Sequence, residues 1–460
     1  LTSQETANRF LRSAGAATFS QLWRVSVTFG THLVLRRFIP REDWALADWM
    51  MVVFLVLGAL RDLGLPAQTI RTEGRPFGSL LALESIWGAT LSLLTVAVAP
   101  LSLAALQDPH PDTVPVLRAM ALFLFFEGLA QVPLVYFESE LDVGRAVRPE
   151  LIRNACYAVV SITLALGGYG IWSIVAAQVT ASAVFAGLLW WRARRSIPLA
   201  RAARMRDLLR SSSRLAFIWL LLLLVQHVDK LIVGARFSAA ELATYGFAYY
   251  VAFLVPTIML QPVGRAAYPA FIAFAAEPAR KLGVYRLSTL FLLALEVPAA
   301  LFVFVNAEWV LGVIGGSQWV GAPAFLRILC FAPLIDPFSR FGGELLASHH
   351  RDRIWIAAAA TTLASFVAFG ILLTSRYGAI GMAWANFLPL GGVVMALGVA
   401  GLGRREFGGL CRDLGLVYLA PLPWFAIIHL AFDTGSPGRI VASFAALAVT
   451  AGLYWWRFGS

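Results

Sequence analysis

A chain of 460 residues, 59% of them hydrophobic and only 14% charged, lies far from soluble globular proteins, in which about 25% are charged; it reads as a polytopic membrane protein. A net charge of +11 would suit nucleic acid, but the basic residues collect at the ends of apolar runs, which argues for membrane topology instead. Cys156, Cys330 and Cys411 stand far apart, without CxxC spacing or histidine companions, which excludes a disulfide framework and a zinc site.

Windows of about 20 apolar residues predict spans near 14–35, 44–64, 78–103, 115–137, 150–168, 171–192, 214–235, 243–265, 286–305, 320–341, 354–374, 378–401, 414–432 and 438–457. The expected fold is an all-α integral membrane protein of about fourteen transmembrane helices, and at least about twelve. The polar stretch Leu1–Arg12 has no short apolar core, so the first span is expected to be retained rather than cleaved. Six spans run to Trp190-Trp191, and the longest outer connection, Ala105 to Pro115, is too short to fold as a domain. A basic segment follows with Arg192, Arg194, Arg195, Arg201, Arg204, Arg206, Arg210 and Arg214, expected to face lipid headgroups. Most Lys and Arg lie before the first span, on the even-to-odd connections or in the tail, which places both termini in the cytoplasm.

The second block echoes the first. Leu11-Arg12-Ser13 resembles Leu209-Arg210-Ser211, and Arg37-Phe38 with Glu42 matches Arg236-Phe237 with Glu241. Leu80-Leu81-Ala82-Leu83-Glu84 recurs letter for letter as Leu292-Leu293-Ala294-Leu295-Glu296. Leu117-Arg118 with Glu127 matches Leu326-Arg327 with Asp336, and Tyr169-Gly170 matches Tyr377-Gly378. Their order predicts a duplication: a six-helix bundle over 1–193, a basic cytoplasmic linker over 194–213, a second bundle over 214–401, and a linker with an extra helix pair over 402–460. Because six is even, both halves enter the membrane in the same sense, as parallel repeats.

Charges inside these apolar runs need a reason, since an arginine at mid-membrane costs at least about 2.5–3.5 kcal/mol. Arg24 lies about 15 Å into the first span and is expected to receive an anionic substrate group, in bidentate fashion if that group is phosphate, the alternative being a salt bridge to a neighbouring helix. Arg327 in the tenth span is the second such cation. Arg118, its counterpart in the fourth span, reads equally as a helix-end charge. Lys230 completes the candidate substrate-binding set, but it lies with Asp229 about 22 Å along the seventh span; Asp229 is expected to pair with a neighbouring helix while Lys230 snorkels outward. Glu84 and Glu296, with Glu127 and Asp336, are candidate counter-ions or coupling sites; the counter-ion reading is preferred, because nothing in the sequence identifies a coupling ion. Arg118 and Glu127, like Arg327 and Asp336, are spaced to fall on opposite faces of a helix. Trp190-Trp191 and Trp455-Trp456 read as interfacial anchors. There is no Walker A, HExxH or soluble-loop DxD pattern, so no cofactor, metal or enzymatic activity is expected.

The run Asp229-Lys230-Leu231-Ile232-Val233-Gly234, followed by Phe237, Glu241-Leu242, Tyr245, Pro256, Pro262 and Tyr268-Pro269, resembles the oligosaccharide flippases of the multidrug/oligosaccharidyl-lipid/polysaccharide exporter superfamily. The resemblance implies movement of an undecaprenyl-pyrophosphate-linked oligosaccharide from the cytoplasmic to the periplasmic leaflet of the bacterial inner membrane. The implied mechanism is alternating access of two bundles without ATP, in exopolysaccharide, capsule or O-antigen export. Implied partners are the polyprenyl-linked oligosaccharide, membrane lipids, and the polysaccharide polymerase and export machinery, with no nucleic acid. The extra helix pair is similar to that of lipid II flippases, which serves the lipid tail. The alternative is a cation-coupled multidrug exporter of the same superfamily, against which the intramembrane arginines weigh. A membrane O-antigen ligase or polymerase is disfavoured by the short outer loops.

Overall fold

The computed structural model describes residues 23–62, 76–140, 144–194, 196–199, 223–258, 277–348, 352–388 and 404–458, with a few isolated positions between. The matches at Leu11-Arg12-Ser13 and Leu209-Arg210-Ser211, most of the basic linker, and Pro262 and Tyr268-Pro269 lie outside them. Among the described residues every element is helical, and nine helices are long and apolar enough to cross a membrane. The first, second, seventh, eighth and twelfth expected spans lie partly outside the described residues. Contacts group the chain into two compact units, Leu1–Ala243 and Thr244–Ser460.

The first unit holds α1 (23–38), α2 (Arg41–Asp62), α3 (Phe77–Val98), α4 (Thr113–Ser139), α5 (Gly144–Leu166), α6 (Ile171–Ala193) and α7 (223–236). Helices α4 and α6 form its centre, with α3 on α4 and α5 on α6, around Phe77, Leu80, Val132, Val135, Phe137 and Phe185. Among lipid tails apolar burial gives little drive for helices to associate, so close approach and interhelical hydrogen bonds hold them. Gly128 supplies the first: a Cβ there would stand 3.3 Å from the Glu84 carbonyl on α3. Ser92 and Trp87 supply the second, donating to the Ala121 and Leu60 carbonyls, each at 2.9 Å.

Two prolines inside these helices free a carbonyl one turn earlier, because the ring has no N–H to give it. Pro133 in α4 frees Leu129, and the Trp190 indole donates to that carbonyl at 2.8 Å. Pro149 in α5 frees Arg145, and Arg192 donates there at 3.1 Å. Trp190 is therefore more than an interfacial anchor, while its neighbour Trp191 is exposed as an anchor should be.

Helix starts are equally explicit. The buried Asp43 carboxylate accepts the Ile171 N–H at 2.7 Å, capping α6, and pairs with His110 at 3.0 Å. Gly170 makes room for it: its φ is +52°, and a Cβ would lie 2.1 Å from Asp43 Oδ2. After α7, Ser238 and Glu241 form a capping box, each side chain accepting the other's backbone N–H at 3.3 Å. It opens α8 (Ala239–Ala252), within which the two units divide.

The second unit is built on α9 (Pro278–Val305), followed by α10 (Ala307–Gly315), α11 (Ala322–Leu329), α12 (Asp336–Ser348), α13 (Asp352–Tyr377), α14 (Ile380–Ala385), α15 (Arg404–Leu419), α16 (Leu422–Ala431) and α17 (Pro437–Phe458). Helices α11, α12, α15, α16 and α17 all pack on α9. Val417, Phe425, Ile428 and Tyr454 of the terminal helices share one core with Leu292, Leu293 and Phe341, while Ile427, Leu430, Val441 and Trp455 point outward. The tenth span is not one helix. It breaks after α11 into a 3-10 turn at Ala332–Ile335 containing Pro333 and restarts at Asp336. Counting 100° per residue from Arg327 to Asp336 therefore fails here, although it holds for Arg118 and Glu127 on the continuous α4.

Candidate transport site

Arginines meet carboxylates at several places within the first unit. Arg36 is buried 3.6 Å from Asp48, with its guanidinium 3.6 Å above the Trp44 ring and His32 edge-on to the same ring. Arg61 faces Glu84 at 3.5 Å, both side chains buried. Arg153 reaches Glu127 at 2.7 Å, where Ser182 also donates at 2.8 Å, and its guanidinium rests on Phe185. Sequence reasoning missed Asp43, Arg36, Asp48, Arg61 and Arg153. The two arginines that meet Glu84 and Glu127 sit near predicted span ends, where a positive charge reads as topological. Arg24 on α1 and Arg118 on α4 are exposed; Lys230 on α7 is half-buried beside Asp229, which is fully buried.

The second unit is arranged differently. Glu296, in the repeated pentapeptide, is 2% exposed, and neither carboxylate oxygen has a hydrogen-bond partner. Asp336 is exposed in the first turn of α12, where free backbone N–H groups favour an anion. Arg327 does not stand alone: Glu308 holds its guanidinium. Nearby the buried Arg439 lies 2.7 Å from His429 Nδ1, and Asn306 donates to Ser443 at 2.9 Å. These contacts tie α16 and α17 to the far end of α9.

The family model described as polysaccharide biosynthesis protein matches residues 34–323. The chain belongs to that family. It is 22% identical over 352 residues to the succinoglycan biosynthesis transport protein ExoT of Rhizobium meliloti (strain 1021), covering 74% of this chain and 70% of that one. Among solved structures it is similar to the lipid II flippase MurJ in an inward closed conformation, with a TM-score of 0.70 and 13% identity over 98% of this chain and 100% of that one. It is also similar to an inward-facing MATE multidrug resistance transporter of the MOP superfamily, with a TM-score of 0.68 and 14% identity over 85% of this chain and 96% of that one. At these identities the structural likeness is one of fold. This polysaccharide biosynthesis protein is a multi-pass helical membrane protein with a transporter fold, and the proteins it matches are transporters and flippases rather than enzymes.

Within this family member the candidate groups fall into two sets. Arg36, Arg61, Arg153 and Arg327 each face a carboxylate; Arg24 and Arg118 are exposed on apolar helices. Exposed guanidinium groups on such helices belong at water rather than in hydrocarbon. A cleft of about 270 Å³ in the first unit is lined by Glu42, Leu46, Asp108, His110 and Phe237. Its carboxylates would repel a phosphate. Among the described residues no group of three His, Cys, Asp or Glu is placed to hold a metal ion.

Proposed function

We propose that this protein is a flippase that carries an undecaprenyl-pyrophosphate-linked oligosaccharide from the cytoplasmic to the periplasmic leaflet of the bacterial inner membrane. Both termini lie in the cytoplasm, and the bundles 1–193 and 214–401 alternate access to the two sides. The observation that carries this reading is Arg24, exposed on an apolar helix in a chain of the polysaccharide biosynthesis family. A pyrophosphate entering the membrane needs a cation already placed there, and a guanidinium meets two phosphate oxygens at once. Arg118 and Lys230 add positive charge along the path. Arg327 is held by Glu308, so a phosphate reaching it exchanges with that carboxylate, which returns as the substrate leaves. The polyprenyl tail stays in lipid while the head group crosses.

A multidrug exporter has the same fold: the TM-scores of 0.68 and 0.70 do not separate the two readings, and the family match favours the polysaccharide one. The test is deletion of the gene with complementation by Arg24→Ala and Arg327→Ala. Deletion should leave lipid-linked oligosaccharide in the cytoplasmic leaflet, and Arg24→Ala should lower export by about 10- to 100-fold, the worth of a charge-assisted hydrogen-bond pair of about 1.5–3 kcal/mol. Full export by both variants would overturn the role of these arginines. Lost drug resistance with unchanged export would favour the multidrug reading.

A further inference from the structure

We propose that Arg439, at the start of α17, is a binding site for the phosphate of a membrane lipid. Among the described residues three arginines are buried, Arg36, Arg61 and Arg439. Arg36 and Arg61 face Asp48 and Glu84, whereas Arg439, 1% exposed, makes no ion pair with a carboxylate. Its Nε has no hydrogen-bond partner, and its Nη2 lies 2.7 Å from His429 Nδ1. An arginine only donates, so that nitrogen is the acceptor of a neutral imidazole. Glu308 and Asp433 act on Arg439 from beyond ion-pair range; Glu308 holds Arg327, and Asp433 is exposed in the connection 432–436. A buried charge without compensation is among the costliest arrangements in a protein, and a guanidinium cannot escape by giving up its proton. The anion that matches it therefore comes from outside the chain.

The backbone around Arg439 is fixed. Its N–H donates to Ser436 Oγ at 3.3 Å. Its carbonyl accepts the Ser443 hydroxyl at 2.7 Å, and that hydroxyl accepts from Asn306, just past the end of α9. The cation is held at the third residue of α17, about 3 Å along from the first, which is the depth of lipid head groups rather than of hydrocarbon. Around it the two helices turn apolar side chains outward: Leu430 next to His429, and Val441 and Phe444 on α17. A cation bordered by apolar surface fits an amphiphile, its phosphate on the guanidinium in bidentate fashion and its chains along α16 and α17. His429 is exposed and meets the guanidinium from α16. Turned outward, it leaves that position to the phosphate, so imidazole and phosphate compete for one donor.

Native mass spectrometry of the full chain in detergent, titrated with phosphatidylglycerol, a polyprenyl phosphate, diacylglycerol and inorganic phosphate, tests the site. The wild type should bind both lipid phosphates more tightly than diacylglycerol, and Arg439→Gln should weaken that binding about 10-fold, the loss of one charged hydrogen bond. Arg376→Gln, at an exposed basic residue in the last turn of α13, should not. His429→Ala, which removes the competing partner, should bind lipid phosphate more tightly. Preference for phosphatidylglycerol identifies a resident phospholipid and preference for the polyprenyl phosphate a carried lipid; either supports the site. Diacylglycerol bound as tightly as the lipid phosphates, or wild-type binding in Arg439→Gln, overturns it. Inorganic phosphate that displaces lipid at equal concentration overturns the lipid assignment. If Arg439→Gln does not fold, His429→Ala decides: binding no tighter than wild type means that Arg439 only ties α17 to α16. Export is not measured, so the result stands whether or not the flippase reading does.

Discussion

Arg61 and Glu84 show what a charge inside a membrane bundle demands of its neighbours. Both are buried, 3.5 Å apart, and removing one partner of such a pair leaves the other without its compensating charge, at about 3–5 kcal/mol. Arg61→Ala should therefore lower the unfolding temperature sharply in detergent, and Arg61→Ala/Glu84→Gln should recover most of the loss. Trp190 is the second case. Trp190→Phe should cost about 1–2 kcal/mol, because the Leu129 carbonyl freed by Pro133 then has no donor. In a Pro133→Ala background the restored N–H takes the donor's place, so the same substitution should cost much less; thermal unfolding of the four proteins checks it. Pro133 was plain in the sequence, but its remedy was not. Trp190 follows it by more than two helices' length of chain, and only the packing of α4 against α6 brings the indole to that carbonyl.

The elements that break a pattern carry the most information. The fourth and tenth spans share a Leu-Arg pair followed nine residues later by an acid, yet α4 runs unbroken over Thr113–Ser139 while the tenth span stops and restarts at Asp336. Pro333 and Pro337 mark the break locally; its consequence, an exposed carboxylate at a helix start, depends on the neighbouring helices. The terminal pair turns apolar side chains outward on one side, while the other side completes the packing around α9 and satisfies polar groups there. Truncation after residue 402 should therefore strip Asn306 of Ser443 and Arg286 of Asp413. The lost apolar burial matters little in a bilayer, whereas unsatisfied polar groups there are expensive. The expected outcome is a collapse in the yield of monodisperse protein, read by fluorescence-detected size exclusion.

At the scale of the whole molecule, hydropathy and charge asymmetry make a prediction about sidedness. Single cysteines at Asp433 and Glu140, both exposed, in a background lacking the native three, should label differently with a membrane-impermeant maleimide. Asp433 should react in intact spheroplasts and Glu140 only after permeabilisation; the reverse pattern would place the termini outside. The sequence by itself determined the membrane class, the helical content, the approximate spans, the family and the presence of charges in need of partners. It could do so because a bilayer forces every spanning segment to satisfy its own backbone, which makes each span a local and readable event. The tertiary structure alone decided which arginine meets which carboxylate. Glu84 and Glu296 end the same five residues, and no local rule tells them apart. One lies against Arg61 and the other is buried without a hydrogen bond, because a buried side chain's partners come from helices distant in the chain, where sequence spacing carries no distance.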